Sequence, residues 1–124
     1  MLDALCVSHP SSVLWIMDIP PVKSLLDFAG KVAIVTGAGN GLGQGLARRF
    51  AEAGASIIVH YNSSETGAQK VTRQIRERGG NAIAVQGDLT HEKDAARLIQ
   101  HAVEQFKGLD VLINNAGTYP LHVF

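Results

Sequence analysis

A short apolar run that leads through a glycine-rich segment into a helical pattern is the strongest constraint on the fold. The run "KVAIVT" at residues 31–36 is continuous and β-branched, which is typical of a strand covered on both faces. Glycine then occupies every second position from Gly37 to Gly45, and Gly54 ends the pattern. The apolar stripe of this helix is expected at Leu42, Leu46 and Phe50. The segment therefore predicts a strand, a tight turn and a helix in direct succession.

The same alternation continues along the rest of the chain. Further apolar runs lie at residues 56–61, 81–86 and 109–114. Helical patterns lie between them, at about residues 65–78 and 90–107, and Gly79 and Gly108 are expected to end them. The apolar face of the last helix is predicted to be Ala95, Leu98, Ile99, Ala102, Val103 and Phe106. Strands that alternate with helices indicate βαβ units, so we expect an α/β protein with a parallel sheet of four strands and three helices.

Composition narrows the classes of partner. The 124 residues fit one domain, and 11 basic residues balance 11 acidic ones, so no net charge would attract nucleic acid or an anionic membrane. The single cysteine, Cys6, excludes an internal disulfide, and no Cys/His spacing indicates a metal site, so a cytoplasmic location is expected. No apolar stretch approaches the roughly 18 to 20 residues of a membrane span. The expected partner is a small molecule or another protein.

The first 27 residues lie before the alternating pattern begins. They contain no basic residue before Lys23, which argues against a signal peptide, and Met17 offers an alternative start. We expect an N-terminal extension at residues 1–27 that is poorly ordered, followed by one domain at residues 28–124.

A glycine turn that opens a helix is an anion site, because helix-start amides point outward and the helix dipole favours negative charge. A P-loop needs a lysine after its last glycine, but none follows before Lys70. The G-x-G-x-x-G fingerprint of dinucleotide-binding proteins fails from every glycine. The run from Gly37 to Gly41 is similar to the methyltransferase loop, although Val35 stands where an acidic residue is usual.

The pattern Thr36-Gly37-x-x-x-Gly41-x-Gly43 resembles the TGxxxGxG loop of the classical short-chain dehydrogenase/reductase family. Two further motifs stand in register at later strand ends: "GDLT" at residues 87–90 and "NNAG" at residues 114–117. The resemblance covers about residues 28–118. It implies the cofactor-binding half of a Rossmann-type, doubly wound sheet with strand order 3-2-1-4, in an enzyme that transfers hydride between NAD(P) and a carbonyl or alcohol.

The resemblance also assigns roles to single residues. Gly37 would form the tight turn, Gly41 would admit the pyrophosphate and Gly43 would allow the helix to pack closely, while Gly39 and Gly45 stay outside the motif. Asp88 would contact adenine, with a helix cap as the alternative role, and Asn114 would hold the central sheet together. The implied cofactor-binding residues are Thr36, Gly37, Asn40, Gly41, Leu42, Gly43, Tyr61, Asn62, Ser63, Asp88, Leu89, Asn115, Ala116 and Gly117.

The choice between NAD and NADP depends on the end of the second strand. An acidic residue there would bind the ribose hydroxyls of NAD and repel the extra phosphate of NADP. This chain has instead the polar residues Asn62, Ser63 and Ser64, and a strand-end His60 that we expect to be partly buried. No basic residue is present there, and Asn40 occupies a loop position that NADP-preferring relatives often make basic. We favour NADP over NAD.

The family's catalytic pair, Tyr-x-x-x-Lys, occurs nowhere in the chain, because Glu65 follows Tyr61 and Val123 follows Tyr119 at that spacing. The family's serine after a fifth strand is absent as well. We therefore expect a truncated product that binds NAD(P) and is inactive alone. The alternative is a non-catalytic nucleotide-binding or interaction module that associates with itself or a partner through an exposed edge of the fourth strand.

Overall fold

The structure is a computed structural model, and it describes residues 22–118. The predicted succession of strands and helices is present, preceded by one short helix, and its ends differ by at most two residues from the sequence-based bounds. The elements are α1 (Val22–Leu25), β1 (Val32–Val35), α2 (Gly41–Glu52), β2 (Ser56–Tyr61), α3 (Glu65–Glu77), β3 (Ala82–Gln86), α4 (Glu92–Phe106) and β4 (Val111–Ile113). Residues 1–21 of the predicted extension, which include the alternative start at Met17, lie outside the described residues.

The four strands form one parallel sheet in the order β3-β2-β1-β4, which confirms the predicted order. Val35 of β1 pairs with Val59 of β2 on one side and with Ile113 of β4 on the other. The chain thus moves outward from β1 through β2 to β3 and then returns to the opposite side of β1. The carboxyl ends of β1 and β4 flank the point where this direction reverses, and ligands of such sheets bind there.

The helices cover both faces of the sheet, because alternate strand residues point to opposite faces. Ala33 and Val35 of β1 pack in one apolar cluster with residues of α2 and α3. Val32 and Ile34 pack in a second cluster, which includes Leu98 and Ala102 of α4. All of β1 is buried, as the continuous apolar run predicts. No helix within residues 22–118 has the length and apolar character needed to cross a membrane.

Three predicted apolar positions are exposed. Leu42 is 73% exposed, because it lies in the first turn of α2, beside the cleft described below. On α4, Ile99 and Val103 are about half exposed, since the face that packs on β1 and β2 is that of Leu98 and Ala102. None of the elements in residues 22–118 covers Ile99 and Val103.

The end of α4 also differs from the prediction. The residue with left-handed backbone is Lys107, with φ of 68°, and its N–H donates to the carbonyl of Val103 at 3.0 Å. The sequence predicts that Gly108 ends this helix, but the residue with left-handed backbone comes one position earlier. The glycines expected to end α2 and α3 behave as predicted, since Gly54 and Gly79 both have positive φ.

Candidate functional site

A cleft of about 640 Å³ lies at the carboxyl ends of the strands. It is lined by residues from the ends of all four strands, which are Gly37, Gly39, Asn40, Leu42, His60, Tyr61, Asn62, Ser63, Ser64, Asp88, Leu89, Thr90, Asn115, Ala116, Gly117 and Thr118. Every residue predicted to bind the cofactor lines this cleft except Thr36, Gly41 and Gly43. The structure therefore brings together in space what the sequence distributes over three motifs and the end of the second strand.

A larger hollow of about 860 Å³ lies beside the C-terminal ends of α2 and α3. Its polar side chains are largely bonded to one another: Arg78 pairs with Glu52 at 3.1 Å, and Arg48 Nε donates to Gln74 Oε1 at 3.0 Å. It lies away from the carboxyl ends of the strands, where parallel sheets bind ligands. We therefore take the smaller cleft as the candidate site. Within residues 22–118, no group of three or more His, Cys, Asp or Glu side chains is placed to hold a metal ion.

The glycine turn is closely packed on both sides. Gly37 has φ of +63°, and a Cβ atom there would lie 2.9 Å from Ala116 Cα, so only glycine fits this turn. A Cβ atom on Gly43 would lie 2.5 Å from the Gly37 oxygen and 2.6 Å from Asn115 Nδ2. The close packing that the resemblance implies at Gly43 is present, and it joins α2 to the turn and to the loop after β4.

Gly41 is the first residue of α2 and faces open space. Its φ is +53°, and a Cβ atom there would meet nothing within 4 Å. Asn40, the residue before the helix, makes no side-chain cap hydrogen bond. The first amides of a helix have no partner within the helix, so this uncapped end can bind an anion.

Gly39 has a packing role that the motif does not predict, because Gly39 lies outside the motif. A Cβ atom on Gly39 would lie 2.6 Å from both Cβ and the carbonyl oxygen of Ser64. A Cβ atom on Gly67, in the first turn of α3, would collide with the Gly39 carbonyl oxygen, which also accepts a hydrogen bond from Gln44 Nε2 at 2.8 Å. The glycine turn thus packs against the start of α3, and Gly67 was the signal in the sequence.

Thr36 ties the glycine turn to the loop after β4. Its Oγ1 accepts hydrogen bonds from the backbone N–H groups of Asn115 and Ala116, both at 2.9 Å, and donates to the Ile113 oxygen at 3.2 Å. The Asn115 side chain donates back to the Thr36 oxygen at 3.0 Å. Thr36 is buried beneath the cleft rather than exposed in it, so its contribution is to hold the loop.

The role implied for Asn114 belongs to its neighbour. The Asn115 side chain bonds to the carbonyls of Thr36 and Gly37, at 3.0 and 3.3 Å. The Asn114 side chain is exposed and makes no hydrogen bond to any residue within 22–118. The two asparagines are adjacent beyond the end of β4, and the second of them places its side chain against the backbone at the end of β1.

The end of β2 presents neutral polar groups to the cleft. Asn62 and Ser63 are exposed, and Asn40 Nδ2 donates to Ser64 Oγ at 3.2 Å. The described residues that line the cleft here include no Asp, Glu, Lys or Arg. His60 is only 2% exposed, which confirms the predicted burial of the strand-end histidine.

Asp88 lies at the end of β3 and is held in a tight turn. Its Oδ1 accepts hydrogen bonds from Thr90 N at 3.0 Å and Thr90 Oγ1 at 2.7 Å, and its Oδ2 lies 3.4 Å from His91 Nδ1. These bonds from the Thr90 hydroxyl and amide, with a smaller contribution from His91, lower the pKa of the Asp88 carboxyl. Helix α4 begins at Glu92 with His91 as its cap residue, so the alternative role of Asp88 as the cap of that helix is wrong.

Replacing Thr90 with valine removes the hydroxyl donor and keeps the shape of the side chain. We expect the pKa of Asp88 to rise toward its ordinary value of 3.8, as measured by NMR titration of the carboxyl carbon. Because the folded-state pKa is depressed, ionised Asp88 favours folding above its ordinary pKa, and this contribution is lost as the pH falls through the folded value. Thr90→Ser should keep the low pKa, and an unchanged pKa in Thr90→Val would refute the assignment.

Comparison with known proteins identifies a matching family model and similar sequences. The family model for short chain dehydrogenases matches residues 31–124. Hydroxynaphthalene reductase-like protein Arp2 of Metarhizium guizhouense is 47% identical over 90 residues, which are 73% of this chain and 34% of that protein. The chain thus spans about a third of the length of the curated relatives it matches.

Solved structures share the same architecture. Hydroxysteroid dehydrogenase from Escherichia coli superimposes with a TM-score of 0.71 at 38% identity, over 79% of this chain and 43% of that one. The angucycline C-6 ketoreductase LanV with bound NADP gives a TM-score of 0.68 at 35% identity, over 74% of this chain and 38% of that one.

Proposed function

This chain belongs to the short-chain dehydrogenase family, and on that premise we propose that its cleft binds NADP for a carbonyl–alcohol oxidoreductase. The family and the neighbour with bound NADP support a nicotinamide dinucleotide as the cofactor. The observation that carries the proposal is the convergence of the glycine turn, the polar end of β2, Asp88 and residues 115–117 on one cleft.

Each part of the cleft has a chemistry that matches one part of a dinucleotide. The uncapped start of α2 supplies amides for the pyrophosphate, while Asp88 and Leu89 would bind the adenine. Asn62 and Ser63 would bind the adenine ribose, and residues 115–117 would lie beside the nicotinamide half. When bound, the cofactor supplies or accepts a hydride, and the described residues position it.

The preference for NADP depends on the neutral cluster of Asn40, Ser63 and Ser64. No carboxylate at this end of the cleft repels a phosphate, and Ser64 precedes the 13-residue helix α3 without making a side-chain cap hydrogen bond. Hydroxyl, amide and helix-start N–H groups can all donate to phosphate oxygens. Neutral hydrogen bonds contribute about 0.5 to 1.5 kcal/mol each, so the preference should be modest.

Fluorescence titration with NADPH and NADH tests the proposal. We expect NADPH to bind about three- to tenfold more tightly, which corresponds to roughly one hydrogen bond. Ser64→Asp places a carboxylate beside the phosphate and should reverse the preference, whereas the uncharged Ser64→Asn should retain it. Failure to bind either nucleotide would refute the proposed function, and tighter binding of NADH to the unaltered chain would refute the choice of NADP.

We propose further that these 124 residues bind the cofactor without catalysing the reaction by themselves. Reduction of a carbonyl needs a proton as well as a hydride, and a phenol with a pKa near 10 needs a nearby ammonium to transfer one at neutral pH. The chain has no Tyr-x-x-x-Lys to provide this pair. Steady NADPH oxidation with a panel of carbonyl compounds would contradict the proposal.

We also propose a cytoplasmic location, which the single cysteine favours.

A second candidate is a non-catalytic module that associates through β4. Within residues 22–118 this strand pairs with β1 alone, and its Leu112 is 48% exposed. An apolar strand edge with free backbone groups is a template for pairing with a second chain. Size-exclusion chromatography with light scattering would detect such association, and a monomer at all concentrations would count against this candidate.

A further inference from the structure

The peptide group between Gly87 and Asp88 is held from both sides. Its carbonyl oxygen lies 2.9 Å from Nε2 of the buried His60, and its N–H donates to Asp94 Oδ2 at 2.8 Å. The two side chains come from different elements, β2 and α4. The peptide that carries Asp88 into the cleft is therefore fixed at its acceptor and at its donor.

His60 also holds the opposite wall of the cleft. Its Nδ1 accepts a hydrogen bond from Gly37 N at 3.2 Å, and its carbonyl oxygen accepts one from Ala38 N at 2.8 Å. Because Nδ1 accepts and Nε2 faces a carbonyl, the proton must lie on Nε2 and the imidazole must be neutral. One buried side chain thus connects the glycine turn to the end of β3.

Asp94 can accept the hydrogen bond from Asp88 N as a carboxylate because it lies in the first turn of α4. The positive end of the helix dipole favours a carboxylate there, and Oδ1 pairs with Arg97 at 3.1 Å, which leaves Oδ2 to accept from Asp88 N. Glu92 lies in the same first turn, but its side chain makes no hydrogen bond to any residue within 22–118.

We propose that His60 and Asp94 are positioning residues that fix the distance between the glycine turn and Asp88, and that they thereby select a ligand long enough to contact both. This inference depends on the proposed function. A dinucleotide would contact the turn with its pyrophosphate and Asp88 with its adenine. Its affinity should therefore increase when the distance between the turn and Asp88 is fixed before binding. A mononucleotide lacks the pyrophosphate, so its affinity should depend less on this spacing.

Binding of NADPH and of adenosine 2′-monophosphate to the full chain tests the selection. His60→Leu should weaken NADPH binding about tenfold, since two hydrogen bonds are lost, and weaken the mononucleotide about twofold at most. His60→Asn keeps one donor and one acceptor and should restore part of the NADPH affinity that His60→Leu loses. Equal losses for the two ligands would overturn the proposal.

Asp94 provides a second test in case His60→Leu fails to fold. Asp94→Ala should reduce the NADPH to mononucleotide affinity ratio, whereas Asp94→Asn keeps an acceptor oxygen and should largely preserve it. Glu92→Ala, the matched control, should leave the ratio unchanged. An Asp94→Ala protein with an unchanged ratio would overturn the role of Asp94.

NMR of the ligand-free chain separates this inference from the proposed function. The ¹⁵N shifts of His60 should report the neutral Nε2–H tautomer. A proton on Nδ1 would overturn the connection through His60 even if NADPH binds. Conversely, a correct tautomer in a chain that binds no NADPH would overturn the proposed function, and ligand selection with it, while confirming the contacts of His60.

Discussion

Replacing Gly43 with alanine is expected to abolish NADPH binding and to lower the free energy of unfolding by about 3 kcal/mol, the upper end of the range for overpacking. The added methyl carbon would lie 2.5 Å from the Gly37 oxygen, 2.6 Å from Asn115 Nδ2 and 2.9 Å from Ala38 Cα. Two of these atoms are backbone, so no rotamer change can relieve the contacts. Helix α2 must then move away from the turn that would hold the pyrophosphate.

Gly45→Ala is the matched control, two residues further along the same helix. A Cβ atom on Gly45 would meet nothing within 4 Å. Alanine in a helix interior is more favourable than glycine by about 0.5 to 1 kcal/mol, so this variant should be slightly more stable and bind NADPH normally. Urea denaturation monitored by circular dichroism would measure the free energy of unfolding of both variants. Equal stabilities would contradict the packing described for Gly43.

Replacing Thr36 with valine is expected to have the second largest effect, a loss of about 2 to 3 kcal/mol with weakened NADPH binding. The variant keeps the shape of a side chain that is only 2% exposed but removes a hydroxyl that makes three hydrogen bonds. The Ala116 N–H then loses its acceptor, and the loop after β4 stays attached to the end of β1 only through the side chain of Asn115. This hydrogen bond is partly buried, so leaving its donor unsatisfied adds to the cost of the lost bonds.

Thr36→Ser retains the hydroxyl and serves as the control, with an expected loss of about 1 kcal/mol for the deleted methyl group. Hydrogen exchange of the Ala116 amide gives a local measurement beside the unfolding free energy. Exchange should be faster in Thr36→Val than in Thr36→Ser. An equally protected Ala116 amide in both variants would show that Thr36 Oγ1 is not its acceptor.

Local pattern was enough to predict the elements of this fold. The β-branched run of β1 and the glycines after α2 and α3 mark strands and helix ends without reference to the rest of the chain. The sheet order came from the resemblance of three motifs to one family. Most of the cofactor-binding residues implied by those motifs line one cleft.

What the sequence could not show depends on contacts between distant residues. Which asparagine of the pair at residues 114–115 faces β1 is decided by the twist and register of β4, which spacing alone does not reveal. The packing of Gly39 depends on Ser64, at the start of another helix. His60 has partners just beyond the ends of two other strands, β1 and β3, so its role appears only when the sheet is assembled.

The position of β4 beside β1 has a consequence for the order of folding. Contacts of β4 with β1 close a loop of 78 residues between Val32 and Asp110, whereas Gly37 and His60 are 23 residues apart. Closing the longer loop has the larger entropic cost, so β4 is expected to dock after β1, β2 and β3 have assembled. The cleft is therefore expected to be completed only when β4 docks, and a nucleotide that bound there would stabilise the contacts that form latest.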